Sequence, residues 1–445
     1  MVRQVFSGSM IHAHDNGEVI FRQWAAIFVE DGKIINVMEN HDQQTIDDFH
    51  ADKVNNLLPG QFIIPGFIDC HTYAVQYPNI GIGYGVRLLY WLESRTYPLE
   101  EEYVNQHFAE EAFDDVVKLT LTSGTTTACY SGSLYHEAST ILAKKCSEIG
   151  QRAFVGKINM NTARDDGYYE STEISIANTK AFIESVENMN NPLVQPIITP
   201  RSALTCDMEL LQSLEKIAAD KNLRIQSNIS QDPDEVKAVK HKFGLPTYTD
   251  VYKTAGLLSL KTSLAHGNNL SDYELKTLAR TGTTIIHCPT SNINLESGLC
   301  DVRKIKNRNI VVGLGTDISG GSNLDILNEM KSVLDVSNTV ATFSGDKVSR
   351  YVPLNYKDVF VMATIGGAKA LSIEDKVGNF KKGKEFDALI IDLNAEESFI
   401  DNFREYTLEE RLQRFIYSGT FHNIISIYVK GEKIDFEKPK KHFTL

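Results

Sequence analysis

Between residues 66 and 380, strand-like and helix-like segments alternate, and this alternation restricts the fold more than any other feature of the chain. Strands separated by helical segments form βα units, which assemble into a parallel sheet covered by helices. One unit can be followed residue by residue. Over residues 209–220 the spacing places Leu210, Leu211, Leu214, Ile217 and Ala218 on one helical face. A strand-length run, 223–227, follows, with Asn228 at its C-terminal end. In a second unit Leu264 and Ala265 lead a strand to His266, and Ser271 with Glu274 forms a capping box for the next helix. Gly282 stops that helix before the strand 283–286, and a third strand, 310–314, runs into Gly315, Thr316 and Asp317. Polar residues therefore recur just beyond strand ends. In a (β/α)8 barrel, that rim carries the chemistry.

The two ends of the chain are β-rich instead. Residues 25–30 and 33–37 flank Asp31-Gly32, a dipeptide suited to a tight hairpin turn. Residues 386–391 and 425–430 read as strands, the second turning at Gly431. Such distant segments pair into one domain when the fold between them brings its own ends together, as a closed barrel does. The expected fold is α/β: a TIM-like (β/α)8 barrel over 66–380, plus a small β-sandwich domain built from both chain ends. Residues 1–65 would supply its N-terminal part, and 381–445 its C-terminal part with a terminal helix and strands. A chain of 445 residues has room for both.

Charge and composition narrow the function. A formal net charge of −13 disfavours binding to a nucleic-acid backbone, and the basic cluster at 438–441 reads as a solvated end. No apolar run approaches the roughly 20 residues of a membrane helix, and the N-terminus lacks a basic segment followed by an apolar core. A cytoplasmic protein with neither nucleic-acid nor membrane partners is expected. Cys70, Cys129, Cys146, Cys206, Cys288 and Cys300 show no CxxC pair and read as reduced, buried thiols.

The run Pro65-Gly66-Phe67-Ile68-Asp69-Cys70-His71 resembles the first barrel strand of amidohydrolases. Longer stretches narrow the resemblance to guanine deaminases: 71–77 (HTYAVQY), 121–130 (LTSGTTTACY), 151–157 (QRAFVGK) and 196–201 (PIITPR). Ala265-His266-Gly267, 287–292 (HCPTSN), 313–321 (GLGTDISGG) and 378–391 (GNFKKGKEFDALII) extend it in register to the C-terminal strand. This resemblance implies an amidohydrolase-type barrel, one Zn2+ ion, and the reaction of guanine with water to give xanthine and ammonia. Such zinc sites use neutral imidazoles and a carboxylate, while a separate carboxylate moves the protons.

Position by position, the resemblance is uneven. His71 matches the first zinc histidine, but its partner position holds Tyr73, and the next expected histidine is Asn228. Gln231 stands where the family has its proton-carrying glutamate. His266 and Asp317 match the histidine beside the metal-activated water and the metal-binding aspartate, and His287 matches a supporting position. Gln76 and Arg201 match residues that hydrogen-bond the purine, whereas Ser202 replaces the aromatic residue expected against the base. The implied protein is a catalytically impaired, purine-binding pseudoenzyme or regulatory partner, forming a homodimer or a heterodimer with an active paralogue. The alternative is an active guanine or pterin deaminase in which His71, His266 and Asp317 hold the metal and Asp317 also accepts protons. The same three residues could instead persist as an inherited ion pair. Three further features are assigned plain roles. His12 and His14 read as surface histidines, Gly81 to Gly85 as a flexible active-site loop, and Tyr90 with Trp91 as part of a core helix after it.

Overall fold

The computed structural model describes residues 1–39, 42–344, 351–401 and 403–435, so the basic cluster at 438–441 lies outside the described residues. Two sheets organise the chain. The small domain contains β1 (Arg3–Ala13), β2 (Val19–Glu30), β3 (Lys33–Glu39), β4 (Lys53–Asn56) and β5 (Gln61–Pro65). The barrel contains β6 (Phe67–Tyr73), β7 (Thr125–Ser131), β8 (Arg152–Gly156), β9 (Ile158–Asn159), β10 (Val194–Pro200) and β11 (Arg224–Ile229), then β12 (Thr262–His266), β13 (Thr284–His287) and β14 (Val312–Leu314). The chain then returns to the small domain with β15 (Ala388–Asp392), β16 (Ile424–Val429) and β17 (Glu432–Lys433).

The barrel strands run parallel in the order β14-β13-β12-β11-β10-β8-β7-β6, with β9 extending the pairing to β10. Both faces of the barrel wall are covered, so β6 and β7 are buried along their whole length. The helix Met208–Lys221 buries Leu210, Leu211, Leu214, Ile217 and Ala218, the stripe expected from spacing alone. Asp207 caps its N-terminus by accepting from the Leu210 N–H. The Ser271/Glu274 capping box and the left-handed Gly282 also form as expected. Several strand limits differ from the sequence expectation: β11 continues through Asn228 to Ile229, β13 runs to His287, and β14 begins at Val312 rather than residue 310.

β14 and β6, the ends of the hydrogen-bonded order, are joined by a polar seam. Buried Asp69 accepts from the backbone N–H groups of His71 and Thr316, both at 3.2 Å, and from the Thr316 hydroxyl. The Asp317 N–H donates to the His71 carbonyl at 3.0 Å. A side chain at Gly315 would clash here, since its Cβ would lie 2.7 Å from the His71 carbonyl oxygen.

The small domain has the strand order β17-β16-β15-β5-β1-β2-β3, with β4 beside β1. The Asp31-Gly32 hairpin joins β2 and β3 as expected, both residues adopting positive φ. Across the interior of this β-sandwich, the rings of Phe6 and Phe386 stack at 4.4 Å. His12 departs from the surface reading: it is buried, 5.9 Å from the Phe380 ring, and burial lowers its pKa to about 4. Residues 10 to 13 of β1 are all buried, so neither face of the strand reaches water there. His14 is exposed, and all six cysteines are free and buried.

A buried ion cluster bolts the two parts together. The Arg152 guanidinium, at the start of β8, donates to both Asp387 carboxylate oxygens at 2.9 Å and lies 2.7 Å from Glu385. Asp387 also accepts from the Lys430 N–H at 2.8 Å. Removing one partner of such a group strands a buried charge, so Asp387→Ala should cost about 3–5 kcal/mol. Urea denaturation reads this directly, and a loss below about 1 kcal/mol, the scale of an exposed pair, would contradict the assignment.

Candidate active site

The strand ends converge on one rim of the barrel, as βα loops do in this architecture. β6 supplies His71 and Tyr73, and a 3-10 turn, Ala74–Asn79, places Gln76 immediately beyond. Arg201 follows β10, Asn228 lies in β11 with Gln231 just past it, His266 ends β12, His287 ends β13, and Asp317 follows β14. His266 and Asp317 hold φ of +77° and +47°. Non-glycine residues avoid this region at a cost of about 1–3 kcal/mol, so the surrounding hydrogen bonds must enforce it.

His71, His266 and Asp317 come together. His71 Nε2 lies 3.5 Å from Asp317 Oδ1, and His266 Nε2 lies 3.8 Å from Asp317 Oδ2. One donor atom from each falls within 4.8 Å of the others, and all three residues are buried. Neither Nε2 has a hydrogen-bond partner. His266 Nδ1 contacts Asn292 Oδ1 at 2.9 Å; because that oxygen only accepts, Nδ1 carries the proton and Nε2 keeps its lone pair. Burial lowers the His266 pKa to about 4, so the ring is neutral at neutral pH. Burial would raise the Asp317 carboxyl, but the His71 contact and the neighbouring imidazoles hold it below the usual range, and Ser291 Oγ donates to it at 2.6 Å. Two imidazole Nε2 atoms without hydrogen-bond partners beside a buried carboxylate fit a divalent cation.

The substituted positions interact with each other. Asn228 Nδ2 donates to the Tyr73 hydroxyl at 3.2 Å, while Asn228 Oδ1 is buried without a partner. Burial pushes the Tyr73 phenol up, so it stays protonated and a poor metal ligand. Gln231 is buried beside them, with its backbone N–H donating to Glu235 at 3.0 Å. Glu235 is a carboxyl that the motif comparison misses. It lies one helical turn beyond Gln231, accepts from the Tyr248 hydroxyl at 3.0 Å, and is pushed up to about 7 by burial.

Gln76 and Arg201 are both present, but neither is free. Each donates to Glu100, a buried residue that no sequence motif singled out. The Ser202 hydroxyl lies 3.3 Å from that of Thr205, and its small side chain gives the wall no aromatic surface at that position. These groups line a narrow cavity of about 40 Å3, closed elsewhere by Leu88, Trp91 and Leu92. Trp91 therefore faces the cavity, whereas Tyr90 points to solvent. The Gly81 to Gly85 loop is tied to the rim: Tyr84 donates to the Ser319 carbonyl at 2.9 Å, and the Gly85 N–H donates to the Asn294 carbonyl at 3.1 Å.

Residues 62–434 match the Amidohydrolase family. The chain is similar to guanine deaminase of Dictyostelium discoideum, with 41% identity covering 97% of this chain and 98% of that protein. It is also similar to the Homo sapiens guanine deaminase, with 37% identity covering 97% and 96%. Its structure resembles that of C. acetobutylicum guanine deaminase with guanine bound in the active site. That likeness has a TM-score of 0.90 and 33% identity, covering 97% of this chain and 100% of the other.

His287, next to this site, is buried with both ring nitrogens unpartnered, and burial lowers its pKa to about 3. In the unfolded chain it would take a proton near pH 6.5. The unfolded state therefore binds more protons as pH falls from 6.5 towards 3, and the native state loses stability over that window. His287→Gln removes this contribution. The stability of the wild type relative to the variant should fall between pH 7 and pH 4.5 in urea titrations; a pH-independent difference would show that His287 titrates normally in the folded protein.

Proposed function

The chain belongs to the Amidohydrolase family and, within it, to the guanine deaminases, and from that premise we propose that it is a purine-binding member with impaired catalysis. The observation that carries this reading is the Tyr73–Asn228 hydrogen bond. It joins two side chains that stand at ligand positions, engages the Tyr73 oxygen as an acceptor, and leaves only the neutral amide oxygen of Asn228, a weak donor for zinc, unpaired. Gln231 completes the loss, since an amide cannot take a proton from water and pass it to a ring nitrogen or a leaving amine. General acid–base catalysis of that kind typically contributes about 10²–10⁴ in rate.

His71, His266 and Asp317 would hold a divalent ion, zinc being the family's metal. When bound, such an ion supplies Lewis-acid activation of water at neutral pH. The chain's own groups do the rest: Asn292 fixes the His266 ring, Ser291 fixes Asp317, and Gln76 with Arg201 faces the base. A cytoplasmic homodimer, or a heterodimer with an active paralogue, is the assembly this reading favours. Among the described residues, no helix is long and apolar enough to cross a membrane. A second reading draws on the convergence of the two imidazoles with Asp317. There the protein is an active guanine or pterin deaminase, and Asp317 accepts the proton.

Turnover of guanine separates the two. Protein purified without chelator should carry about one zinc per chain yet release no ammonia from guanine at high enzyme concentration. The combined variant Tyr73→His, Asn228→His and Gln231→Glu should turn guanine over at least about 100-fold faster than the wild type. Wild-type turnover equal to that of the variant would establish the second reading and discard the first.

A further inference from the structure

Glu100 is fully buried beside the cavity and accepts four hydrogen bonds. They come from Gln76 Nε2 at 2.9 Å, the Tyr168 hydroxyl at 3.0 Å, and Arg201 Nη1 and Nη2 at 2.6 and 3.0 Å. Building on the base-binding reading, we infer that Glu100 is a positioning residue: it sets the donor–acceptor pattern by which the pocket selects a base with a lactam edge over one with an amidine edge.

The argument rests on what a carboxylate can do. It only accepts, so Gln76 must turn its amide NH2 towards Glu100 and its carbonyl Oε1 away. Arg201 spends two of its five N–H groups on Glu100 and keeps the others. Its guanidinium also lies between two rings, 5.3 Å from the Tyr73 centroid and 4.9 Å from that of Tyr97, which restricts rotation. Both side chains line the cavity, which therefore has one oriented acceptor and a set of oriented donors on the same wall.

A lactam edge complements that wall. In guanine or hypoxanthine, a ring N–H stands beside a carbonyl oxygen, so the oxygen can accept from Arg201 while the N–H donates to Gln76 Oε1. Adenine presents the reverse, an amino donor beside a ring-nitrogen acceptor. Its amino group would meet the Arg201 N–H groups, and its ring nitrogen would meet Gln76 Oε1. Buried like-on-like pairings of this kind leave several polar groups unsatisfied at once, which penalises the wrong base more than a single lost contact. Without the Glu100 carboxylate the Gln76 amide can flip, and the wall accepts either edge.

The test is the binding ratio of hypoxanthine to adenine, measured by calorimetry on the full-length wild type and on Glu100→Gln. The wild type should favour hypoxanthine by about 10-fold or more, and Glu100→Gln should bring the ratio within about 3-fold of unity. A purely structural role would weaken both bases together and leave the ratio unchanged. Glu100→Asp keeps the charge, protecting the fold, but its shorter reach cannot hold Gln76 and Arg201 simultaneously, so it should lower the ratio part-way. A wild-type ratio in either folded variant overturns the assignment. Failure of the wild type to bind either base removes the base-binding reading itself and this inference with it, an outcome distinct from binding with an unaltered ratio.

Discussion

The seam between β14 and β6 is centred on one buried carboxyl group. Asp69 takes hydrogen bonds from the backbone of β6 at His71 and from both backbone and hydroxyl of Thr316 beyond β14. These two strands share no ladder in the hydrogen-bonded order, so Asp69 and the Asp317-to-His71 backbone bond do the work of pairing. His71 and Asp317 come from opposite ends of the barrel sequence and face each other only because the seam is closed. Burial raises the Asp69 pKa to about 7, the cost of placing a carboxyl where no water reaches. Its polar contacts partly offset that cost. Gly315 belongs to the same constraint, since a larger residue would push β14 away from His71.

The site combines an intact half with an altered half. On the His266–Asp317 side, Asn292 and Ser291 orient the imidazole and the carboxylate, the kind of contact that supports ligands in metal centres. On the Tyr73–Asn228 side, two neutral polar groups satisfy one another, and the phenol stays protonated. Tyr73 also lies against the Arg201 guanidinium, so the altered half and the base-facing wall share a side chain. A change at position 73 therefore reaches both Asn228 and Arg201, whereas a change at Asn292 reaches His266 and Asn268.

Much of this was legible in the sequence because it depends on local pattern. The buried stripe on Met208–Lys221, the Ser271 capping box and the polar groups past strand ends all follow from periodicity and cap chemistry. The convergence of His71, His266 and Asp317 was legible through family resemblance, as each sits in a recognisable strand-end motif. Glu100 was not. It opens a run of three glutamates, a pattern that reads as solvated, yet Glu100 is buried while Glu102 is exposed. Only its long-range contacts with Gln76, Tyr168 and Arg201 distinguish it, and sequence spacing encodes none of them. His12, read as a surface histidine because it lies in the N-terminal β segment away from the barrel strands, is buried because β1 is covered on both sides there.

The position of β5 also bears on how the chain can be made. β5 lies between β1 and β15, and its antiparallel register pairs Gln61 with Asp392 and Pro65 with Ala388. During vectorial synthesis the β5 edge emerges more than 300 residues before its partner. At ordinary elongation rates that gap lasts on the order of tens of seconds. Throughout it, an apolar strand edge has no native neighbour, while the barrel that will bring β15 to it is still being built. Pairing of β5 with β15 therefore cannot begin before the whole barrel segment has been made, and until then that edge is open to other chains.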